Sequence, residues 1–161
     1  MILIALGANL PSAAGPPAAT LRGALGRLKE CGITILSVSS FYQTQAWPDP
    51  SQPPYVNAVA SIATRLQPAE LLALLHDVEN GFGRRRGAAN APRTLDLDLL
   101  DYDGRIMAGE VLLPHPRMAQ RAFVLAPLAE IAPGWQHPLT RQSAVELSAG
   151  LPDRDAPKKL A

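Results

Sequence analysis

Leu95-Asp96-Leu97-Asp98-Leu99-Leu100 alternates leucine with aspartate, and this period of two decides how the rest of the chain is read. Successive side chains of a β-strand point to opposite faces, so the leucines enter a core while Asp96 and Asp98 share the other face. Upstream, Pro68 opens a helix with Leu71, Leu72, Leu75 and Val78 on one side, and the pattern stops near Gly81. Residues 81–93 then form a long loop rich in Gly, Ala and Arg. Residues 55–64 read as a strand. Before it, residues 43–54 hold Pro48, Pro50, Pro53 and Pro54 and can be neither helix nor ladder. Residues 33–42 read as one more strand. Ala18, Leu21, Leu25 and Leu28 stripe a helix that begins at Pro17 and ends at Gly32, although Gly23 and Gly26 weaken it. Residues 2–6 make a first short strand closed by Gly7-Ala8-Asn9.

Downstream of the aspartates, Asp103-Gly104 is a turn signal leading to an apolar run at 111–113, and Pro114, His115 and Pro116 form a rigid corner. Residues 118–131 look mostly helical, with Pro127 forcing a break or restart. Residues 143–147 suggest a last short helix, and residues 152–161 a polar tail that frays. The order strand, helix, strand, strand, helix, strand predicts a ferredoxin-like α+β plan. It is an antiparallel sheet with helices on one face, leaving the other face for the long loops to cover.

A chain of 161 residues with 47% apolar content fits a single domain over 1–161 that buries a core without disulfides. Cys31 stands alone and, lacking a nucleophile motif, is expected to pack as a small hydrophobe. No apolar run approaches the ~20 residues of a membrane helix, and residues 1–6 lack the basic flank of a signal peptide. A cytoplasmic protein without a membrane partner is the expectation. The net charge of +1 gives no broad nucleic-acid footprint. Charge is nevertheless uneven, with Arg84, Arg85, Arg86 and Arg93 within ten positions.

Asp96 and Asp98 have Cα atoms roughly 6–7 Å apart if they lie on one strand, close enough to serve one site of hard cations. Taken alone, the pattern suits a half-exposed strand with a solvated acidic face. Two features weigh against that. Aspartate is a poor strand residue, and four arginines stand beside the pair as a polyphosphate would require. Guanidinium groups grip phosphate oxygens bidentately, while the surrounding glycines and alanines suit a mobile lid. No Gly-x-x-x-x-Gly-Lys-Ser/Thr motif occurs, and Gly81 and Gly83 follow a helix, so neither a P-loop nor a Rossmann fingerprint is present. Tyr55 and Asn57 share one strand face after the proline loop, a ring surface beside a donor–acceptor amide. Phe123 could supply a second ring. Each of these, like His115 between its prolines, can also be read as purely structural.

Taken together, six blocks resemble the hydroxymethyl-dihydropterin pyrophosphokinase (HPPK) family. They are ALGANL (5–10), SSFYQT (39–44), YVNAVA (55–60), PRTLDLDLL (92–100), LPHPR (113–117) and RAFVLAPLAEIAP (121–133). The blocks keep the family's order and spacing up to about Pro133, and PRTLDLDLL is the most specific. The resemblance implies transfer of the β,γ-pyrophosphoryl group of ATP to the hydroxymethyl group of a reduced pterin, releasing AMP. By match, Asp96 and Asp98 hold two Mg²⁺ ions. Thr44, Tyr55, Asn57 and Phe123 form the pterin pocket, with the two rings sandwiching the pterin. Arg84, Arg93, His115 and Arg121 face the triphosphate, Arg86 is a further basic position of the same loop, and Glu79 lies near the adenine. Arg84, Arg93, Asp96 and Asp98 are the catalytic set, and a monomer acting on small molecules is implied.

One block departs from the family. Where members carry a basic residue and a Trp before Gly-Pro-Arg, this chain has Ala89-Asn90-Ala91-Pro92, about one residue short. Trp47 in the proline loop is a candidate to compensate. Glu110 replaces an arginine found in some members, so no role is carried to it. Three rivals are an RNA-binding ferredoxin-like module, a metal-dependent phosphohydrolase and a family member that only binds pterin. Aromatic content of 5% argues against the first, and the lack of a further nucleophile or ligand set argues against the second.

Overall fold

The computed structural model describes residues 1–46, 48–84 and 92–160. Its elements are β1 (Ile2–Ala8), α1 (Pro17–Glu30), β2 (Thr34–Val38), β3 (Tyr42–Thr44), β4 (Tyr55–Ala63), α2 (Pro68–Gly81), β5 (Asp96–Tyr102), β6 (Met107–Ala108), β7 (Leu112–Leu113), α3 (Ala122–Ile131), α4 (Ala144–Ala149) and β8 (Lys158–Lys159). The main sheet runs β5-β1-β4-β3-β8, with β2 and β3 sharing the same edge of β4. Every pairing in it is antiparallel. A separate β6–β7 hairpin follows the Asp103-Gly104 turn, where both residues take positive φ (54° and 72°).

Period-two burial divides the sheet cleanly. Ile2, Ile4 and Leu6 of β1, Ala58 and Ala60 of β4, and Leu97 and Leu99 of β5 face α1 and α2, meeting Leu21, Leu28, Leu71 and Leu75. The antiparallel α+β plan with these two helices on one face is as expected. On the opposite face, Leu3, Ala5, Val59 and Leu100 also need cover, and α3 and α4 supply it through Val124, Leu125, Leu128 and Ala144, with Trp135 between them. Only the remaining end of that face is left to loops. No helix among the described residues is long and apolar enough to cross a membrane.

Three expectations change. The run at 33–42 is two strands, because at Ser39 the backbone amide still donates to the Val59 carbonyl at 2.9 Å but the Val59 amide turns to the Ser39 hydroxyl at 3.0 Å. Pro127 does not break α3. The interruption falls earlier, where a 3₁₀ turn at Met118–Gln120 gives way to an extended Arg121. Burial of Val124, Leu125, Pro127 and Leu128 offsets the missing proline N–H. Lastly, residues 152–161 do not simply fray. Lys158 and Lys159 pair with Gln43 and Tyr42, and the Leu160 amide donates to the Phe41 carbonyl at 2.8 Å. Lys159 also meets Glu130 of α3 at 2.9 Å. That carboxylate accepts the Ser40 amide and the Tyr42 hydroxyl as well, which anchors the segment.

Candidate active site

Strand register builds the site. Asp96 of β5 pairs with Gly7 of β1, Gly7 with Asn57 of β4, and Asn57 with Tyr42 of β3, giving one transverse row across four strands. The next row on the same face is Asp98, Ala5 and Val59. Because Ala5 and Val59 belong to the core under α3, the row with Asp96 and Asn57 emerges where the cover of α3 ends. Phe123 lies on the first turn of α3, and its ring centroid is 5.5 Å from the Arg121 guanidinium carbon.

Asn57 is buried, and its Nδ2 donates to Thr44 Oγ1 at 3.0 Å. Its Oδ1 occupies space that a larger residue at position 7 would fill, since a Cβ added to Gly7 would stand 2.9 Å from it. Glycine is thus required by close approach and not by a turn. Gly7→Ala should push the Asn57 amide aside at a cost of about 1–3 kcal/mol in packing and, at the pterin pocket that the resemblance implies for Asn57, weaken pterin binding by about tenfold. Titration of the folded variant with a reduced pterin checks this. Unchanged affinity would remove Asn57 from the pocket.

The two aspartates have different partners. Arg84 Nη1 bonds to Asp96 Oδ1, and Arg93 Nη1 donates to Asp96 Oδ2 at 2.9 Å. Burial alone would raise the Asp96 pKa, but Arg93 and Arg84 outweigh it and hold the carboxyl below its ordinary value. Asp98 has weaker company, Arg121 Nη1 at 3.4 Å and His115 Nε2 at 3.9 Å. Burial, then the Asp96 charge, raises it well above the usual carboxylate range. A nearby cation would favour the ionised form of both carboxylates.

His115 is fixed by its backbone amide, which donates to the Leu100 carbonyl at 2.8 Å. Its Nδ1 accepts the Arg117 amide at 3.1 Å, so the neutral ring carries its proton on Nε2, toward Asp98. Burial first, then Arg121, pushes its pKa down to about 4. At neutral pH His115 is therefore an uncharged donor. Tyr55 pairs with Thr44 across the strands and lies within electrostatic reach of Arg93, Asp96 and Arg84, while burial pushes its phenol up.

Glu79, which the resemblance sets near the adenine, ends α2 beside β5. It is 2% exposed and sits beneath the site, where Oε2 accepts Arg84 Nη1 at 2.7 Å and the Leu97 amide at 2.8 Å. It holds Arg84 against β5. Arg84 Nε and Thr94 Oγ1 are buried with no hydrogen-bond partner among the described residues, and an unmatched guanidinium N–H beside the aspartates suits an anion. Arg86 lies outside the described residues, as do Arg85, Trp47, Ala89, Asn90 and Ala91.

No group of three or more His, Cys, Asp or Glu is assembled among the described residues. Two carboxylates nevertheless fit Mg²⁺, which keeps several waters and takes further oxygens from substrate phosphates. The sequence reading gave no role to Asn9, a buried residue whose side chain bonds to both long loops. Its one signal was a polar amide directly after an apolar strand.

The sequence profile of the 7,8-dihydro-6-hydroxymethylpterin-pyrophosphokinase family matches residues 3–133. A 2-amino-4-hydroxy-6-hydroxymethyldihydropteridine pyrophosphokinase of Synechocystis sp. is 40% identical over 147 residues, covering 90% of this chain and 73% of the relative. The Bacillus subtilis protein of the same name is 42% identical over 130 residues, covering 80% and 75%. The wild-type HPPK-DHPS of Plasmodium falciparum superposes with a TM-score of 0.67 at 11% identity, over 92% of this chain and 44% of that longer one, a likeness of fold. This chain belongs to the 7,8-dihydro-6-hydroxymethylpterin-pyrophosphokinase family.

Proposed function

We infer that the sheet end bearing Asp96, Asp98 and Asn57 is where ATP and a reduced hydroxymethyl pterin meet. The chain is an ATP-dependent pyrophosphokinase of folate biosynthesis, transferring pyrophosphate from ATP to 6-hydroxymethyl-7,8-dihydropterin and releasing AMP. The observation that carries the siting is the single row Asp96–Gly7–Asn57, which sets a phosphate-type cluster one strand from a buried amide.

In this reading Asn57, oriented by Thr44, offers donor and acceptor to the pterin edge, and Tyr55 and Phe123 bound its faces. The pterin hydroxyl oxygen attacks the β-phosphorus, the bond from that phosphorus to the α–β bridging oxygen breaks, and AMP leaves with the electron pair. The hydroxyl proton passes to solvent, and no side chain here is required as a base. Arg84, Arg93 and Arg121 neutralise charge on the triphosphate, while neutral His115 donates Nε2–H to a phosphate oxygen. Asp96 and Asp98 would hold magnesium, which shields phosphate charge during the transfer. A monomer in the cytoplasm belongs to the same reading.

Identifying the nucleotide product tests it. With ATP, Mg²⁺ and reduced hydroxymethyl pterin, AMP should form in equal yield with a pyrophosphorylated pterin. None should form when pterin or Mg²⁺ is omitted. Dominant ADP, or AMP that does not depend on pterin, would refute the assignment, and pterin binding without turnover would identify a binding protein.

A further inference from the structure

We propose that Glu130 of α3 is a positioning residue that sets Phe123 against the strands β3 and β4, and through it the fit of the pterin. The proposal rests on the assignment of Thr44, Asn57 and Phe123 to the pterin. Phe123 lies on the first turn of α3 and Glu130 on its last. Positions 123 and 130 are nearly two full turns apart, so both side chains leave the helix on one side. On that side the Glu130 carboxylate meets β3. Its Oε2 accepts the Ser40 amide, and its Oε1 accepts the Tyr42 hydroxyl at 3.2 Å. Lys159 of β8 reaches the same Oε1 at 2.9 Å. Tyr42 stands opposite Asn57 in the register, and Thr44, further along β3, accepts the Asn57 amide at 3.0 Å. One carboxylate thus ties the helix that carries Phe123 to the strand that orients Asn57.

A carboxylate is otherwise unfavourable at this place. Glu130 sits in the last turn of α3, where the helix dipole opposes negative charge and no basic residue of that turn offsets it. Burial would raise its pKa too, yet Lys159 and the Ser40 amide outweigh it and hold the carboxyl down to about 2. The donors that keep it ionised all come from outside the helix. Ser40 lies in the break between β2 and β3, and its amide turns to Glu130. The rest of the seat of α3 on the sheet is apolar, with Val124, Leu125 and Leu128 in the core. Apolar contact is non-directional and leaves the helix room to slide. The carboxylate adds a directional contact, which fixes where Phe123 stands along the sheet.

The test uses the full chain, Mg²⁺, a reduced hydroxymethyl pterin and an ATP analogue with a methylene between the α- and β-phosphates. Pterin is titrated by fluorescence at saturating analogue, and the analogue is titrated alone. Glu130→Ala should weaken pterin binding about tenfold and change the affinity for analogue by less than about threefold. Glu130→Gln should restore most of the loss, because its oxygen can accept the Ser40 amide while its amino group donates to the Tyr42 oxygen. A double-mutant cycle reads the route. In a Phe123→Ala background, Glu130→Ala should cost less than about twofold more, since the ring it places is gone. A merely structural loss would lower both affinities together and would add to that of Phe123→Ala. Wild-type pterin affinity in folded Glu130→Ala, equal losses for the two ligands, or an additive cycle overturns the role of Glu130. Should Glu130→Ala not fold, Tyr42→Phe removes a single hydroxyl and should weaken pterin about threefold; wild-type affinity there overturns the role as well. Wild-type protein that binds no pterin, or pterin binding indifferent to Phe123→Ala, would instead overturn the assignment of the pocket.

Discussion

Asp98→Asn is expected to lower kcat by about three orders of magnitude while leaving the fold intact. Asparagine has nearly the same shape but no charge, so it can no longer neutralise a cation held against phosphates. It can still accept from Arg121 and His115. Stability should move the other way. The Asp98 pKa in the folded protein is raised by burial and by Asp96, so ionisation opposes folding. A carboxyl raised in this way contributes fully below its unfolded value, about 3.9, and loses that contribution as pH climbs through the folded value. In chelator, Asp98→Asn should thus melt at or above the wild-type temperature at pH 8, and the difference should vanish near pH 4. Thermal melts at the two pH values and a turnover assay check both halves. Near-normal turnover in the folded variant would remove Asp98 from the cation site.

Arg84→Ala should lose both activity and stability, and the two losses can be separated. The Arg84 guanidinium lies between Glu79 and Asp96, and Glu79 is almost wholly buried. Removing the guanidinium breaks an ion pair of 2.7 Å to an almost wholly buried carboxylate, which typically costs about 3–5 kcal/mol. Adding Glu79→Gln removes that charge while keeping an acceptor for the Leu97 amide at the base of β5. The double variant should recover most of the melting temperature but none of the lost kcat, because the donor proposed to face the phosphates is still missing. Recovery of activity with stability would show that Arg84 only holds the fold together.

These two residues also show what can be read from one dimension. The aspartate pair was legible because alternation along one strand is a local property, and the same holds for α2 between Pro68 and Gly81. The face shared by Tyr55 and Asn57 follows from the same rule. Glu79 was not legible as a buried partner, since its contacts to Arg84 and Leu97 depend on how α2 meets β5. Asn9 has side-chain partners 44 and 84 positions away, and no window of sequence contains them. The split between β2 and β3 turns on one serine hydroxyl and a strand twenty residues further on. Family resemblance placed His115 and Arg121, but the protonated nitrogen of His115 required the Arg117 amide to be seen in place.

The pairing of Lys158 and Lys159 with β3 bears on how this protein behaves in concentrated solution. Without them, β3 would end the sheet with unsatisfied amides and carbonyls, a template on which another molecule's strand could add. The added strand is only two residues long, and both its lysines are exposed. Two residues give another strand little to pair with, and Lys158 sets an exposed charge on the border while Lys159 is tied to Glu130, so this edge resists growth. Clipping the chain before Pro157 would uncover the edge, and loss of solubility would then precede loss of the fold.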